Sequence, residues 1–403
     1  VFRAAYGISY VLFNRAGGEN LLAYNGPNII NSSINQAPGQ GLCSSAAAAA
    51  NTCFRSLAQG FPNGLIDPSN FSTAISEVRY IPGSNRNGYV QSWHATVQQE
   101  LAKNLLLDVG YVGNHSVGLN ILSDANQALP NQQGQNLSLL ARRPIQGFTD
   151  IEVAYDGGFG SYEGLQIKLE KKNSNGLYFL NSFTWSKAID NAPGHLENYN
   201  GDNSRINYYN PQLERGLSSY NQPFNDTLSV LYDLPIGRGR RFNIDNTALD
   251  CIVGGWSLNM INTMTSGLPL DIGYAATAQQ SVSDLVSERP NLVAGQPLYL
   301  NTGNPIYYLN PAAFSVPNYT QPFGNTPRNN VSTPFVYETD FGLHKNFPIT
   351  EARYLQFRAE AFNLLNKTNF ATVSTTNSNS SGFGVFNATF PARQIQLALK
   401  LVF

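Results

Sequence analysis

The sequence predicts an all-β protein: the wall of an antiparallel transmembrane β-barrel, with about ten strands joined by short turns at one end and long loops at the other. Three observations predict it. Apolar and polar residues alternate with a period of two in segment after segment, which in a strand sends one set to each face. The connections between these segments alternate short and long, which a soluble sandwich does not require. Charged residues make up only 13% of the 403, about half the ordinary share, and the abundant Gly, Asn, Ser, Tyr and Phe favour strands and turns over helices.

The composition excludes several classes. A net charge of -1 leaves no electrostatic footprint for nucleic acid. No apolar run approaches the roughly 20 residues that a membrane-spanning helix needs. The mean hydropathy of -0.24 is compatible with a barrel, because half of each strand and all the loops are polar. The chain opens on Val1 already in a strand pattern, with no initiator Met, basic n-region or apolar h-region. Residues 1–403 are therefore expected to be the C-terminal part of the barrel domain of a longer protein. Cys43 and Cys53, close together in an Ala/Ser/Gly-rich segment, are expected to form a disulfide, which needs an oxidising compartment; Cys251 is expected to pack as a small apolar residue.

The strands follow in order. Phe2, Ala4, Tyr6, Ile8, Tyr10 and Leu12 share one face, and a long irregular segment, 14–88, comes next. Trp93, Ala95 and Val97 mark a second strand; after a turn at 102–104, Leu105, Leu107, Val109 and Tyr111 mark a third. Beyond the segment 114–160, Leu165, Ile167 and Leu169 alternate with Gln166, Lys168 and Glu170. The Asn-Ser-Asn-Gly at 173–176 is a hairpin signal, and Leu177, Phe179, Phe183 and Trp185 form the return. A polar segment, 190–222, leads to Phe224, Leu228, Val230, Tyr232 and Leu234, and a basic turn, 235–241, to Trp256, Leu258, Met260 and Met264. After 268–334, Phe335, Tyr337, Phe341 and Leu343 face away from Glu338, Asp340 and His344. A turn near 346–352 leads to Leu355, Phe357, Ala359 and Ala361, opposed by Gln356, Arg358 and Glu360. The last strand carries Ile395, Leu397, Leu399, Leu401 and Phe403 on one face.

Outer-membrane barrels place short turns in the periplasm and long loops outside. Counting back from the C-terminus puts Val1 on the turn side. Aromatic residues at strand ends (Tyr10, Phe13, Tyr89, Tyr111, Trp185, Tyr232, Trp256, Phe403) suit interfacial girdles. A strand ending flush on Phe403 resembles the C-terminal signal that the barrel-assembly machinery reads.

Several stretches resemble one family, the Oar-like barrel of TonB-dependent outer-membrane receptors, whose N-terminal part carries a carboxypeptidase-regulatory-like domain and a plug. They are residues 92–113 (SWHATVQQELAKNLLLDVGYVG), 162–190 (YEGLQIKLEKKNSNGLYFLNSFTWSKAID), 232–237 (YDLPIG), 254–269 (GGWSLNMINTMTSGLP), 310–314 (NPAAF), 323–329 (FGNTPRN), 355–370 (LQFRAEAFNLLNKTNF) and the terminal strand. The resemblance implies a barrel of about 22 strands in the cell outer membrane, of which this is the last portion. No plug, TonB box or N-terminal sandwich is recognised within these residues. It also implies energised uptake through TonB, with a plug, outer-membrane lipid, the assembly machinery and an extracellular ligand (a glycan, peptide or chelate) as partners. Two rivals stand beside it: a structural, adhesive or protein-export barrel independent of TonB, and a secreted all-β enzyme or lectin.

No chemical step, cofactor or resident metal is expected. His94, His115, His195 and His344 are scattered without HExxH spacing, no CxxC occurs, and there is no GxSxG elbow. Gly158-Phe-Gly160 and Gly237-Arg-Gly239 open no helical pattern and read as loop or turn. The Asp- and Asn-rich stretch 190–202 lacks EF-hand order and reads as a solvated loop. Two constellations remain. Lys168, Glu170, Glu338, Asp340, Arg358 and Glu360 fall on the face away from lipid, where they either contact the plug or form cross-strand ion-pair ladders. Tyr199, Tyr208, Tyr209, Tyr220, Tyr274, Tyr307, Tyr308 and Phe314 lie in long loops, where they either grip a ligand or pack the loops on each other.

Overall fold

The computed structural model describes residues 1–11, 25, 78–191, 205–283, 288–350, 353–376 and 378–403. Cys43, Cys53, Phe13, Tyr199 and His195 lie outside the described residues, as do all of 192–204 and, apart from residue 25, all of 12–77. Ten long strands run in sequence order through one antiparallel sheet. They are β1 (Phe2–Val11), β2 (Gly88–Ala102), β3 (Leu105–Asp124), β4 (Ile151–Ser174), β5 (Leu177–Asp190), β6 (Phe224–Asp233), β7 (Trp256–Thr265), β8 (Val336–Pro348), β9 (Tyr354–Phe362) and β10 (Gln394–Val402). Among the described residues β1 pairs only with β2, and β10 only with β9, so both are free edges of an open sheet.

The register sorts side chains into two faces, because residues directly opposite in an antiparallel ladder share a face. One row runs Phe179, Val230, Met260, Phe341, Ala361, Ile395. Another runs Trp185, Leu165, Tyr111, Ala95, Ala4. These rows belong to an apolar outer band. The opposite face carries the row Lys168, Ser182, Thr227, Thr263, Glu338. The band is not wholly apolar. Asn181 donates to Asp226 (2.8 Å) and Asn262 to Thr339 (2.7 Å) within it, each pair meeting its own hydrogen-bonding need away from water.

At one end, β2 and β3 turn at Lys103–Asn104. β4 and β5 turn at Asn175–Gly176, whose φ values of 54° and 79° are the two positive angles of a type I′ hairpin. β8 and β9 are joined by 349–353. At the other end lie the loops 125–150, 191–223, 266–335 and 363–393. The wall also rises higher than the period predicts. β3 and β4 continue beyond a bulge at Gly118, where the ladder shifts register, and pair as far as Asp124 and Glu152. At 20 and 24 residues they exceed the roughly 9–11 that cross a bilayer. The short strands Val78–Tyr80 and Arg205–Ile206 add in parallel to these extensions. Gly158 and Gly160 lie in β4, in extended backbone.

The β6–β7 connection differs from the expected basic turn. It holds a helix, α1 (Thr247–Val253), capped by Asn246, whose side-chain oxygen accepts from the backbone N–H of Ala248 (3.0 Å) and Leu249 (3.1 Å). Two turns of helix are too few to register as a period against the strands around them. Cys251 is exposed on α1 and not packed.

The two faces predict opposite responses to charge. Leu397→Arg, in the outer band of β10, is expected to cost about 2–4 kcal/mol of barrel stability in the membrane. Gln396→Arg, next to it on the polar face and opposite Glu360, is expected to cost little. Heat-modifiable electrophoretic mobility of the two variants checks this.

Candidate functional site

The long loops fold together into a cap over the sheet. Its apolar centre is formed by Ile272, Leu309, Ala313, Phe314 and Val331 from the loop 266–335 and Val373, Phe383 and Phe386 from the loop 363–393. Short strand pairs, Pro269–Leu270 with Val331–Ser332 and Phe370–Val373 with Phe386–Thr389, frame it. Phe370 stacks on Phe386 with centroids 4.3 Å apart, and Tyr308 lies 4.8 Å from Phe386.

Four buried arginines tie the remaining loops to this centre. Arg289 makes a two-pronged pair with Glu214 (2.9 and 3.0 Å) and donates to the carbonyl of Leu213 (2.9 Å). Arg328 pairs with the Asp190 carboxylate and donates to the carbonyl of Glu214 (2.8 Å). Together they hold the loop 191–223 against 266–335. Arg142 donates to the carbonyls of Leu129 (2.8 Å) and Ser281 (2.6 Å). Arg143 joins Asp124 (3.0 Å) and Asp150 (2.6 Å), and the Ser283 hydroxyl donates to Asp124 (3.0 Å). The side chains of Arg143, Arg289 and Arg328 are 3–7% exposed. Guanidinium suits such sites because its fixed fork of donors satisfies a carboxylate and a carbonyl at once.

Asp124 and Asp150 share one guanidinium. Burial, then the hydrogen bond to Asp150, push the Asp124 carboxyl up from 3.8 to about 6. The folded cap therefore holds a proton there more tightly than the unfolded chain does.

The loop aromatics divide. Tyr274 is buried, donating to the carbonyl of Pro322 (2.8 Å), and Tyr308 is half-buried, donating to the carbonyl of Ser332 (2.8 Å); burial pushes both phenols up. With Phe314, they pack the loops on each other, the second of the two readings of these aromatics. Tyr208, Tyr209, Tyr220 and Tyr307 are exposed. Tyr208 and Tyr209 meet edge to face at 5.6 Å, and Tyr209 donates to the carbonyl of Gln127 (2.9 Å). The structure adds Tyr80 and Tyr155, which the sequence did not single out. Burial pushes the phenols of Tyr80, Tyr155 and Tyr209 up, with smaller contributions from Tyr208 and, at Tyr209, first from Asp124. Val78–Tyr80 pairs with β4 and Arg205–Ile206 with β3, which brings the four tyrosines to the same end of the wall.

The six charged wall residues all share the face away from the apolar band, but not as cross-strand ladders. Lys168 pairs with Glu170 (3.0 Å) and Arg358 with Glu360 (2.5 Å), each two residues along its own strand. Across strands, Glu360 is approached by His344 (3.4 Å) and Gln396 (3.4 Å). Asp340 accepts the backbone N–H of Asn363 (2.9 Å) at the base of a loop. Ile395, Leu397, Leu399, Leu401 and Phe403 stand exposed at the free edge. Among the described residues, no three of His, Cys, Asp and Glu come together as a metal-holding group.

Two outcomes follow for the cap. Arg289→Met leaves Glu214 buried and alone and is expected to cost on the order of 3–5 kcal/mol of cap stability. Arg289→Met with Glu214→Leu is expected to restore most of it, read by protease resistance of the loops. The raised carboxyl adds a pH effect. Its contribution is complete below about 3.8 and lost as pH rises through about 6. The cap is therefore expected to resist protease better at pH near 5 than near 7.5, and Asp124→Asn to flatten that difference.

The family model described as "Outer membrane beta barrel domain" matches residues 1–396. No curated protein matches the chain. Among solved structures it is similar to the outer membrane transporter YddB from Escherichia coli (11% identity, TM-score 0.43, 81% of this chain and 34% of that one). It is also similar to the ferric-catecholate import receptor Fiu from E. coli K12 (12%, 0.40, 100% and 33%) and to BauA, the ferric preacinetobactin receptor from Acinetobacter baumannii (10%, 0.39, 81% and 32%). The chain thus spans about a third of the length of these three. The wall of ten strands with one apolar and one polar face, and a match over nearly all its length, make this chain a member of the outer membrane beta barrel domain family, a protein of the outer membrane.

Proposed function

We propose that this chain forms the C-terminal wall and extracellular cap of a TonB-dependent receptor of the Oar-like type. The observation that carries the reading is the open sheet. Unpaired edge N–H and C=O groups are not tolerated in hydrocarbon, so β1 and β10 each need a strand partner in the membrane, and on this reading those partners are further strands of a larger wall. A wall of more than ten strands encloses a lumen too wide for side chains to fill; barrels of about 22 strands hold a plug. The polar face, with Arg358, Glu360, Lys168, Glu338 and Asp340, supplies the surface on which a plug would sit. The tyrosine cluster (Tyr80, Tyr155, Tyr208, Tyr209), with Tyr220 and Tyr307, supplies ligand contacts on a cap already held in shape by its buried arginines. The outer membrane offers no ATP or ion gradient, so uptake would draw its energy from the inner-membrane complex through TonB. No bond of the ligand is made or broken.

The test uses cells producing the full-length protein, offered glycan, peptide and metal-chelate ligands. Deletion of TonB is expected to abolish uptake and to leave surface binding intact. Tyr208→Ala with Tyr209→Ala is expected to weaken binding about tenfold, the loss of roughly 1.4 kcal/mol. Adhesion or export that persists without TonB, and no energised uptake of any of these ligands, would overturn the reading in favour of an adhesive or export barrel.

A further inference from the structure

The connection 234–255, between β6 and β7, lies at the short-turn end, on the periplasmic side by the usual asymmetry of these barrels. Its helix α1 exposes Leu249, Ile252 and Val253, which at spacings of three and four lie on one helical face. Phe242, beside it, is 58% exposed.

The helix is fastened to the outside of the wall. The Trp256 indole donates to the carbonyl of Ile252 (2.9 Å). The Lys345 ammonium donates to the same carbonyl (3.2 Å) and to that of Gly254. Trp256 and Lys345 face each other across β7 and β8, on the same face as the Leu258–Leu343 pair. Both fastening side chains thus belong to the apolar outer band, so the C-terminal end of α1 is drawn towards lipid and not beneath the lumen. Lys345 also lies over the rings of Trp256 (5.2 Å) and Phe347 (5.1 Å), and Trp256 meets Phe357 edge-on at 6.1 Å. This is an aromatic girdle at the membrane surface.

The balance of charge here is positive but small: the connection carries Arg238, Arg240 and Arg241 against Asp245 and Asp250, and Lys345 adds one more cation. Lys345 is buried, and among the described residues its ammonium meets carbonyls and rings but no carboxylate. Arg240 and Arg241 are exposed in the turn that precedes α1. The one acid of the helix, Asp250, faces back into that turn and accepts the backbone N–H of Arg238 (2.8 Å). Just above the girdle, an open apolar groove of about 330 Å³ runs between Leu177, Tyr232, Leu258 and Phe341.

We propose that the connection 234–255 is a foot that docks on the anionic phospholipid headgroups of the inner leaflet of the outer membrane. Leu249, Ile252 and Val253 sink into the interface. Arg240 and Arg241 meet the headgroup phosphates, and an acyl chain of the same lipid lies in the groove. An apolar helical face beside exposed arginines is the composition of an interfacial anchor, and anionic lipid is the surface it complements.

The test compares the two sides of α1 in the full-length protein, with Cys43 and Cys53 replaced by Ser, reconstituted in vesicles of phosphatidylethanolamine with and without phosphatidylglycerol. A fluorophore is placed on native Cys251, which points away from the apolar face, or on Ile252→Cys in a Cys251→Ser background. The label at 252 is expected to be quenched by lipid-borne nitroxide near the headgroup and shielded from aqueous iodide, the label at 251 the reverse. Arg240→Glu with Arg241→Glu is expected to cut the lipid quenching at 252 several-fold, Arg240→Lys with Arg241→Lys to retain it, with heat-modifiable mobility reporting an intact barrel in each. Iodide reaching 252 as freely as 251 would overturn the proposal. So would lipid quenching indifferent to phosphatidylglycerol and to both arginines, or shielding that appears in native membranes and not in vesicles, which would mean a protein partner. Loss of TonB-dependent uptake plays no part in these outcomes.

Discussion

Everything in this structure depends on the backbone ladder. In hydrocarbon each N–H and C=O needs a partner from the neighbouring strand, so register is held across the wall, and register decides faces. A slip of one residue in β7 would turn Trp256, Leu258 and Met260 inward and Ser257, Asn259 and Thr263 towards lipid. The apolar rows that cross the sheet unbroken from β1 to β5 and from β5 to β10 are what make that slip costly. The same ladder brings the bases of distant loops side by side, and only then can they build a cap.

The cap is held by a different principle. Its apolar centre draws on two loops, and it reaches the others through buried charge. Taking a guanidinium and a carboxylate out of water is expensive, and a pair recovers that cost only when the geometry is complete. Arg289 meets the condition with both prongs on Glu214 and a further carbonyl; Arg143 does so by serving Asp124 and Asp150 together. Such pairs favour one arrangement over others more than they add raw stability, which suits loops that hold a patch of tyrosines in a fixed place.

The wall was legible in the sequence because a period of two survives in a single chain: the strands, both faces and the Asn175–Gly176 hairpin follow from local pattern alone. The cap was not. Glu214 and Arg289 are 75 residues apart, Asp190 and Arg328 138, Asp124 and Ser283 159, and nothing local announces such partners. The Arg142-Arg143 pair and the TPRN stretch holding Arg328 offered a faint signal, being charged positions in loops otherwise poor in charge. Tyr274 and Tyr208 look alike in sequence; only the fold buries one and exposes the other. α1 escaped because two turns of helix leave too short a pattern.

The two ends of the wall also treat charge differently, and the difference is chemical. At the loop end Arg143, Arg289 and Arg328 each have a carboxylate within a packed cap and those charges largely cancel, while Arg142 is held by carbonyls alone. At the turn end Lys345 is satisfied by the carbonyls of Ile252 and Gly254 and by the faces of Trp256 and Phe347. Carbonyls and rings meet the ammonium's hydrogen-bonding need without cancelling its charge. A lysine in an apolar band is tolerated where its stem can reach the interface, and here the helix end comes to meet it. The result is an end of the wall that is apolar at its rim and positive just beneath, the arrangement that a membrane surface with negative headgroups would itself select.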